Sequence, residues 1–276
     1  MSVVVIIPAR YASTRLPGKA LAEIAGKPMI AHVLARAQLV RGVDRVLVAT
    51  DDERIADAVE SAGGEAVMTR SDHPSGTDRV AEVARALSAE IVVNLQGDLP
   101  LLEPAHVEAA LDCLNVAPAE PGELATPQMA TLATPLGRDE VDRPQVVKVV
   151  RDVRGDALYF SRSPIPWGLP RENERGGDAV GLRHIGLYVY RRTFLLGLAN
   201  LAPTPLERAE RLEQLRVLEH GHRIRVAIVE AGESMIEVDT PEDLERVRAL
   251  CEARPKTAAA RRRVVARSDS RRERHG

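Results

Sequence analysis

The chain is poor in cysteine and has no long hydrophobic run, and each absence excludes a class of protein. Its 276 residues include two cysteines, Cys113 and Cys251, which stand in helix-like segments outside any CxxC or Cys/His spacing. We therefore expect no zinc site and a reducing compartment, the cytoplasm. The apolar runs are only as long as strands, so we expect no membrane span. No basic region followed by a long apolar stretch opens the chain, and no secretory signal is expected.

Two glycine-rich phosphate-binding motifs are also missing. The sequence contains no GxxxxGK[ST] motif, and no GxGxxG motif follows a predicted strand. The first absence excludes a P-loop, and the second argues against a dinucleotide-dependent oxidoreductase.

The composition and periodicity that are present indicate a globular α/β protein. Hydrophobic residues make up 45% and charged residues 28% of the chain, as in ordinary soluble domains. In the first half, strand-like runs alternate with helical periodicity, which predicts a doubly wound, mostly parallel sheet. The predicted strands there are 3–7, 45–50, 66–69 and 91–95. For the less regular second half we predict strands over 129–135, 145–151, 157–160, 223–229 and 236–238, a helix over 204–220 and a glycine-rich loop over 167–181.

The C-terminal residues differ in composition from the rest. From Arg254 onward there are nine Lys/Arg and two Asp/Glu, a net charge of +7. We predict one globular domain over 1–252 and a basic, disordered tail over 253–276. The tail could serve as an electrostatic arm for nucleic acid or anionic lipid. A solvated extension is favoured, because no aromatic residues interleave the arginines.

A cationic loop follows the first predicted strand. The β-branched run Val3–Ile7 leads into a segment that carries Arg10, Arg15 and Lys19 and that turns at Pro17-Gly18. Ligands of open α/β sheets bind outside the carboxyl ends of the strands. Three long cations on ten residues can converge on one polyanion, and we predict a nucleoside triphosphate.

Two carboxylates are candidates for a metal that would accompany the triphosphate. Asp98 follows the predicted strand 91–95, and Asp239 follows the predicted strand 236–238, so both are expected at the same sheet edge. Mg²⁺ is usually held by one or two carboxylates and substrate phosphates. A turn role for Asp98 is the alternative. For Asp239 the alternative is helix capping, but Thr240 and Asp243 already supply the cap of the next helix.

From about 3 to 248, the chain resembles the 3-deoxy-manno-octulosonate cytidylyltransferases, also called CMP-Kdo synthetases. The blocks that carry the resemblance are IIPARYASTRLPGK (6–19), VATD (48–51), SGTDR (75–79), NLQGD (94–98), YFSR (159–162), RHIGLY (183–188), LEQLR (212–216) and VDTPED (238–243).

The resemblance implies a fold, a reaction and partners. The fold would be a Rossmann-like nucleotidyltransferase fold, with a smaller mixed subregion for substrate binding and dimerisation. The reaction would join CTP and Kdo into CMP-Kdo and pyrophosphate for lipopolysaccharide biosynthesis. Mg²⁺ would be the cofactor, and the protein would be a cytoplasmic homodimer.

The resemblance also implies roles for particular residues. The implied catalytic residues are Arg15, Lys19, Asp98 and Asp239, of which the two aspartates would bind the metal. The implied CTP-binding residues are Pro8, Ala9, Arg10, Ser13, Arg15, Lys19, Ser75, Gly76 and Thr77. The implied sugar-acid ligands are Gln96, Arg162, His184, Tyr188, Glu213 and Arg216. By their residues alone, His184 and Tyr188 could equally be core groups, and Glu213 and Arg216 a helix-surface pair.

One position departs from the family pattern. Leu99 stands where members of the family commonly have glutamate, beside the expected metal ligand. Loss of that carboxylate would alter the metal dependence if it lies in the second shell of the metal, and would weaken catalysis if it is required. Two alternatives stay open: a cytidylyltransferase for a related sugar acid of the sialic acid or 8-amino-Kdo type, and a catalytically weakened nucleotide-binding regulatory protein.

Overall fold

A computed structural model describes residues 1–12, 16–115, 127–169, 181–230 and 232–253. Ser13 and Arg15, most of the predicted loop 167–181 and all of the tail except Ala253 lie outside these ranges.

Strands and helices alternate through the first half, as the periodicity predicts. They are β1 (Val3–Ala9), β2 (Glu23–Ile24), β3 (Lys27–Pro28), α1 (Met29–Ala37), β4 (Arg45–Thr50), α2 (Glu53–Ser61), β5 (Glu65–Met68), α3 (Gly76–Arg85), β6 (Ile91–Asn94) and α4 (Pro104–Leu114). Helix α3 begins at Gly76. The Ser75 hydroxyl accepts a hydrogen bond from the Asp78 amide at 3.2 Å and so begins the helix there.

The second half differs from the prediction in its helices. Its elements are β7 (Met129–Pro135), β8 (Lys148–Arg151), β9 (Ala157–Ser161), β10 (Leu182–Arg191), α5 (Arg192–Leu198), α6 (Pro205–Glu210), α7 (Gln214–Glu219), β11 (Ile224–Ile228) and α8 (Pro241–Ala253). The prediction of one helix over 204–220 is wrong. Arg211 has a φ of 55°, which ends α6 and reorients the chain before α7. The break buries Leu212, whereas Leu206 stays 41% exposed.

Two predicted strands are also corrected. The segment Ile236–Val238 is not a strand of the sheet. Its Val238 amide donates to the carbonyl of Asp98 at 2.9 Å, beyond the end of β6, so it lies past the strand ends. The segment predicted over 145–151 becomes a strand only at Lys148, whose ammonium donates to three backbone carbonyls and fixes the preceding turn.

Nine of the described strands form one mixed sheet. Along its main path the strand order is β11-β7-β10-β6-β1-β4-β5, and β8 pairs with β10 and with β9. The strands β6, β1, β4 and β5 run parallel, and β10 is antiparallel to β6 and β7. The chain moves outward from β1 through β4 and β5 and then returns to the other side of β1 with β6. The carboxyl ends of β1 and β6 are therefore a topological switch point, where such sheets bind ligands.

The core lies on both faces of the sheet. Along β1, Val3, Val5 and Ile7 pack into one apolar cluster, and Val4 and Ile6 pack into the cluster on the opposite face. This alternation follows from the two-residue period of a strand, and burial on both faces explains the unbroken β-branched run. A third cluster joins α8 to the β2–β3 hairpin.

Candidate active site

The loop after β1 returns to its own start and carries Lys19 back to the sheet edge. The Gly18 amide donates to the carbonyl of Tyr11 at 3.1 Å. Gly18 has a φ of 68°, and a Cβ there would lie 3.2 Å from the Tyr11 ring, so this position requires glycine. A 3₁₀ turn over Lys19–Leu21 follows. The loop therefore has a defined path on either side of the undescribed residues 13–15.

Lys19 lies between the two predicted metal ligands. Its Nζ is 2.8 Å from Oδ2 of Asp98 and 3.1 Å from Oδ1 of Asp239. Burial tends to lower the pKa of Lys19, but the two carboxylates outweigh it and raise the pKa above its usual value. Both aspartates can therefore hold one cation between them. Carboxylate oxygens are the ligands that Mg²⁺ prefers, so the pair fits that ion.

Asp239 reaches Asp98 through packing rather than through a sheet strand. The Thr240 hydroxyl accepts from the Asp243 amide at 3.2 Å, while the Asp243 carboxylate accepts from the Thr240 amide at 2.9 Å. This reciprocal cap, predicted from the sequence, starts α8 directly after Asp239. Helix α8 then packs through Leu244 and Val247 against the β2–β3 hairpin beside Lys19.

A cavity of about 340 Å³ lies at the carboxyl ends of β1 and β6. Six of the nine residues predicted to bind CTP are Pro8, Ala9, Arg10, Lys19, Ser75 and Gly76, and all six line this cavity. Ser75 and Gly76 form the N-terminus of α3, which carries partial positive charge and favours an anion. A Cβ at Gly76 would lie 3.6 Å from Pro8, an ordinary contact, so space alone does not require glycine there.

A second cavity, of about 330 Å³, adjoins the first. The two share six lining residues, namely Ser75, Gly76, Gln96, Asp98, Glu213 and Asp239. The second is lined further by Thr77, Tyr188 and Arg216, all predicted from the sequence. The arrangement can hold two ligands side by side that meet at Asp98 and Asp239.

Two carboxyl groups with raised pKa values face this second cavity. Partial desolvation in the cleft raises the pKa of Glu213, although the nearby hydroxyls of Thr77 and Ser75 act in the opposite direction. Burial and the nearby charge of Asp98 raise the pKa of Glu237 to about 7, with Arg183 opposing them. A carboxylate accepts hydrogen bonds from hydroxyls, and a protonated carboxyl group can also donate to them. This cavity is therefore suited to a polyhydroxylated ligand.

At the wall of the third cavity, His184 is buried and Tyr188 is half-buried, and Tyr188 also lines the second cavity. Their ring centroids are 5.5 Å apart, and both side chains line a third cavity of about 180 Å³. Burial lowers the pKa of His184 to about 3 and raises the pKa of Tyr188 well above its usual value. Both groups are therefore neutral near pH 7 and offer hydrogen bonds rather than charge.

The two predicted arginine ligands have different surroundings. Arg216 lines the second cavity, but its guanidinium is held by Glu207, with Nε 2.8 Å from Oε2. Arg162 lines none of the three cavities. Its guanidinium donates to the carbonyls of Glu210, Pro144 and Arg211, so it joins two loops behind the site.

Several lining residues are not predicted from the sequence. They are His73, Arg79, Arg183, Tyr190, Gln214 and Glu237. Arg79, Arg183 and Gln214 lie within the blocks that carry the family resemblance, and those blocks are the sequence signal that indicates them. Glu237 stands two residues before Asp239, but its burial depends on contacts that are distant in sequence.

Leu99 does not line the three cavities. Its side chain is fully buried in the apolar cluster that also contains Leu95 and Leu102. The side chain that departs from the family pattern is therefore part of the hydrophobic core, while Asp98 and Asp239 line the first two cavities.

Among the described residues, no group of three or more histidine, cysteine, aspartate or glutamate side chains could hold a metal by itself. The remaining ligands of a metal at Asp98 and Asp239 would therefore come from substrate phosphates or water. In the same part of the chain, no helix is long and apolar enough to cross a membrane.

Comparisons with known proteins identify the family. A family model described as Cytidylyltransferase matches residues 4–224. The 3-deoxy-manno-octulosonate cytidylyltransferase of Syntrophotalea carbinolica is 54% identical over 256 residues, covering 90% of this chain and 98% of that protein. The protein of the same name from Geobacter sulfurreducens is 53% identical over 253 residues, covering 90% of this chain and 98% of that protein.

Solved structures agree with the sequence relatives. One of CMP:2-keto-3-deoxy-manno-octonic acid synthetase complexed with CTP has a TM-score of 0.81 at 48% identity, covering 91% of this chain and 98% of its own. The fold is shared by a 4-diphosphocytidyl-2C-methyl-D-erythritol synthase from Anaerococcus prevotii. That structure has a TM-score of 0.57 at 15% identity and covers 91% of this chain and 96% of its own. The predicted Rossmann-like nucleotidyltransferase fold is thus confirmed. The chain therefore belongs to the cytidylyltransferase family, and within it to the 3-deoxy-manno-octulosonate cytidylyltransferases.

Proposed function

We propose that this protein transfers CMP from CTP to Kdo (3-deoxy-D-manno-octulosonate) and so supplies CMP-Kdo for lipopolysaccharide biosynthesis. The observation that carries the proposal is the meeting of two cavities at Asp98, Asp239 and Lys19. One cavity has cations and a helix N-terminus, which suit a triphosphate. The other has hydrogen-bonding side chains, which suit a sugar acid.

In this proposal the reaction is an in-line displacement at phosphorus. The anomeric hydroxyl oxygen of Kdo forms a bond to the α-phosphorus of CTP, and the bond from that phosphorus to the oxygen of the β-phosphate breaks. Pyrophosphate carries away the electron pair, and the hydroxyl proton passes to solvent. Positioning and stabilisation of the developing charge would supply most of the catalysis.

The phosphates of CTP would be bound by the loop after β1. Arg10 and Lys19 line the nucleotide cavity, and Ser75 and Gly76 offer the N-terminus of α3. Arg15, which lies outside the described residues, is proposed to add a third cation, and Ser13 to add a hydroxyl. Lys19 would then exchange its carboxylate partners for phosphate oxygens, because its Nζ is already at the junction of the cavities.

Asp98 and Asp239 are proposed to hold Mg²⁺. When bound there, Mg²⁺ would offset the phosphate charge and favour the ionised form of the sugar hydroxyl. The protein's part is to keep two carboxylate oxygens within reach of one cation, which the capped start of α8 and the hydrogen bond between Val238 and Asp98 achieve.

The sugar acid would be bound in the second cavity. Gln96, Tyr188 and Glu213 offer neutral or weakly acidic hydrogen-bonding groups to the hydroxyls, with His184 and Arg216 at the walls. For Arg162 we propose support of the loop that carries Arg211, since its guanidinium is already occupied by carbonyls.

We also propose a homodimer in the cytoplasm. In and after the β8–β9 hairpin, Val153 is fully exposed, Trp167 is 97% exposed and Leu158 is 61% exposed. Exposed apolar side chains of this size favour an interface, here with a second copy of the chain.

Sedimentation analysis should give twice the mass of one chain, and Trp167→Lys should shift the equilibrium toward the monomer. An unchanged dimer in that variant would contradict this surface.

Pyrophosphate release tests the proposed reaction. The full chain is incubated with Mg²⁺, CTP and, in parallel, Kdo, 8-amino-Kdo and a sialic acid. We expect the highest kcat/KM with Kdo. Release with another acid but not with Kdo would overturn the substrate, and tight CTP binding without release for any acid would favour a regulatory protein. Removal of 254–276 should leave the rate unchanged.

A further inference from the structure

A bulge in β10 brings two backbone carbonyls to one buried hydroxyl. The pairing of β10 with β7 shifts between Ile185 and Tyr188. At this bulge, Oγ1 of Thr131 lies 3.2 Å from the carbonyl oxygen of Ile185 and 2.8 Å from that of Leu187. Thr131 itself is fully buried on β7. Its single hydroxyl proton must therefore serve these carbonyls, which can only accept.

The same hydroxyl oxygen also contacts His184. Nε2 of His184 lies 3.0 Å from Oγ1 of Thr131. If Nε2 lacked a proton, the Thr131 hydroxyl would donate to Nε2. The lone pairs of Oγ1 would then face the two carbonyl oxygens, which cannot donate, and this arrangement is repulsive. The arrangement is satisfied only when Nε2 carries a proton and donates to Oγ1, while Oγ1 donates to the carbonyl of Leu187. The contacts thus determine which ring nitrogen is protonated.

The other ring nitrogen of His184 is then an acceptor. The imidazole is buried, with Phe160 edge-on at 4.9 Å and Tyr188 at 5.5 Å between ring centroids, and burial holds its pKa at about 3. Within the described part of the chain, Nδ1 has no hydrogen-bond partner. His184 lines the third cavity, which adjoins the second and shares Tyr188 and Glu237 with it.

We propose that Thr131 is a positioning residue that holds His184 as the neutral Nε2–H tautomer, so that Nδ1 accepts a hydrogen bond from a hydroxyl of the sugar acid. His184 then recognises a hydroxyl group of the sugar acid by accepting a hydrogen bond, and it does not form an ion pair with the carboxylate of the sugar acid. The proposal rests on the proposed function, because it places the sugar acid against His184.

Isosteric substitutions at Thr131 test the proposal. Thr131→Val removes the hydroxyl and keeps the volume, whereas Thr131→Ser keeps the hydroxyl. We expect Thr131→Val to raise KM for Kdo about tenfold with little change in KM for CTP, and Thr131→Ser to stay within about twofold of the native protein. Thr134→Val, on the opposite face of the same strand, is the matched control. Equal effects of Thr131→Val on both substrates would overturn the positioning role.

Nitrogen-15 NMR of the histidine-labelled native protein is a second measurement that needs no variant. We expect the His184 spectrum to show a protonated Nε2 and an unprotonated Nδ1 at pH 7, and saturation with Kdo to shift the Nδ1 signal. A proton on Nδ1, or an Nδ1 signal that Kdo leaves unchanged, would overturn the inference. If Kdo releases pyrophosphate in that case, the proposed function stands; if no sugar acid does, the function itself fails.

Discussion

The ammonium of Lys19 lies 2.8 Å from Oδ2 of Asp98, although 79 residues separate the two positions in the chain. The same Nζ also contacts Asp239, which is 220 residues away from Lys19 in sequence. One cation from the phosphate loop is thus held by both proposed metal ligands. This relationship connects the two cavities and leads to the first two predictions.

Replacement of Lys19 should impair catalysis far more than binding of the sugar acid. Lys19→Ala removes a charge that is already placed where the phosphates of CTP would lie, and loss of one such group typically costs about 10²-fold or more in kcat. Lys27→Ala, at an exposed lysine of the neighbouring hairpin, is the matched control. Pyrophosphate release measures both variants, and native kinetics in Lys19→Ala would contradict the assigned role.

Lys19 and Mg²⁺ should compete for the two carboxylates. Lys19→Met leaves Asp98 and Asp239 facing each other without the ammonium, so Mg²⁺ should raise the Tm of this variant more than that of the native protein. The additional substitution Asp239→Asn should abolish the difference. Thermal unfolding with and without Mg²⁺, in the absence of substrates, is the measurement. Equal Mg²⁺-induced shifts in all three proteins would argue against a cation site there.

His184 should make the fold less stable in acid. Its pKa is about 3 in the folded protein, below the usual 6.5, so the unfolded chain binds a proton between these values that the folded chain does not. The free energy of unfolding should therefore fall by up to about 1.4 kcal/mol per pH unit as the pH decreases below 6.5. Urea unfolding at pH 7, 6 and 5 should show a shallower fall in His184→Gln. The exposed His220→Gln variant should keep the native slope.

The turn of the β2–β3 hairpin is strained at Ala25. Ala25 has a φ of 48° and Gly26 a φ of 76°, the pair of positive values found in a type I′ turn, which favours Asn-Gly. Ala25→Asn should raise the free energy of unfolding by about 0.5–1 kcal/mol, because asparagine tolerates the left-handed region better than alanine. Gly26→Ala should lower it. A destabilised Ala25→Asn protein would contradict this explanation.

The element pattern of the first half could be predicted because its signals are local. The run Val3–Ile7 and the segment 91–95 are each buried on both faces, so their sequences alone indicate central strands. The cap formed by Thr240 and Asp243 was predicted for the same reason, since its partners are three residues apart. The site residues at the ends of these elements, Arg10 and Asp98, followed from strand direction.

The predictions failed where distant packing outweighs local periodicity. The leucines of 204–220 have helical spacing, but the burial of Leu212 requires the break at Arg211. For Arg162 the role of sugar-acid ligand stays a prediction, but its guanidinium donates to carbonyls of two distant segments, a contact that the family pattern does not indicate. Neither outcome could be read from a window of sequence, because the competing contacts come from elsewhere in the chain.

The sequence by itself determined the parallel α/β core, the cationic loop and the family, because strand burial, turns and motifs each depend on residues that are close together in sequence. Only the tertiary structure decided which charges meet. Asp239 reaches Asp98 through the packing of α8 and the hydrogen bond from Val238, and not as the end of a strand. The tautomer of His184 likewise depends on a bulge opposite Thr131. Contacts between distant segments fix these groups, and such contacts exist only once the chain has folded.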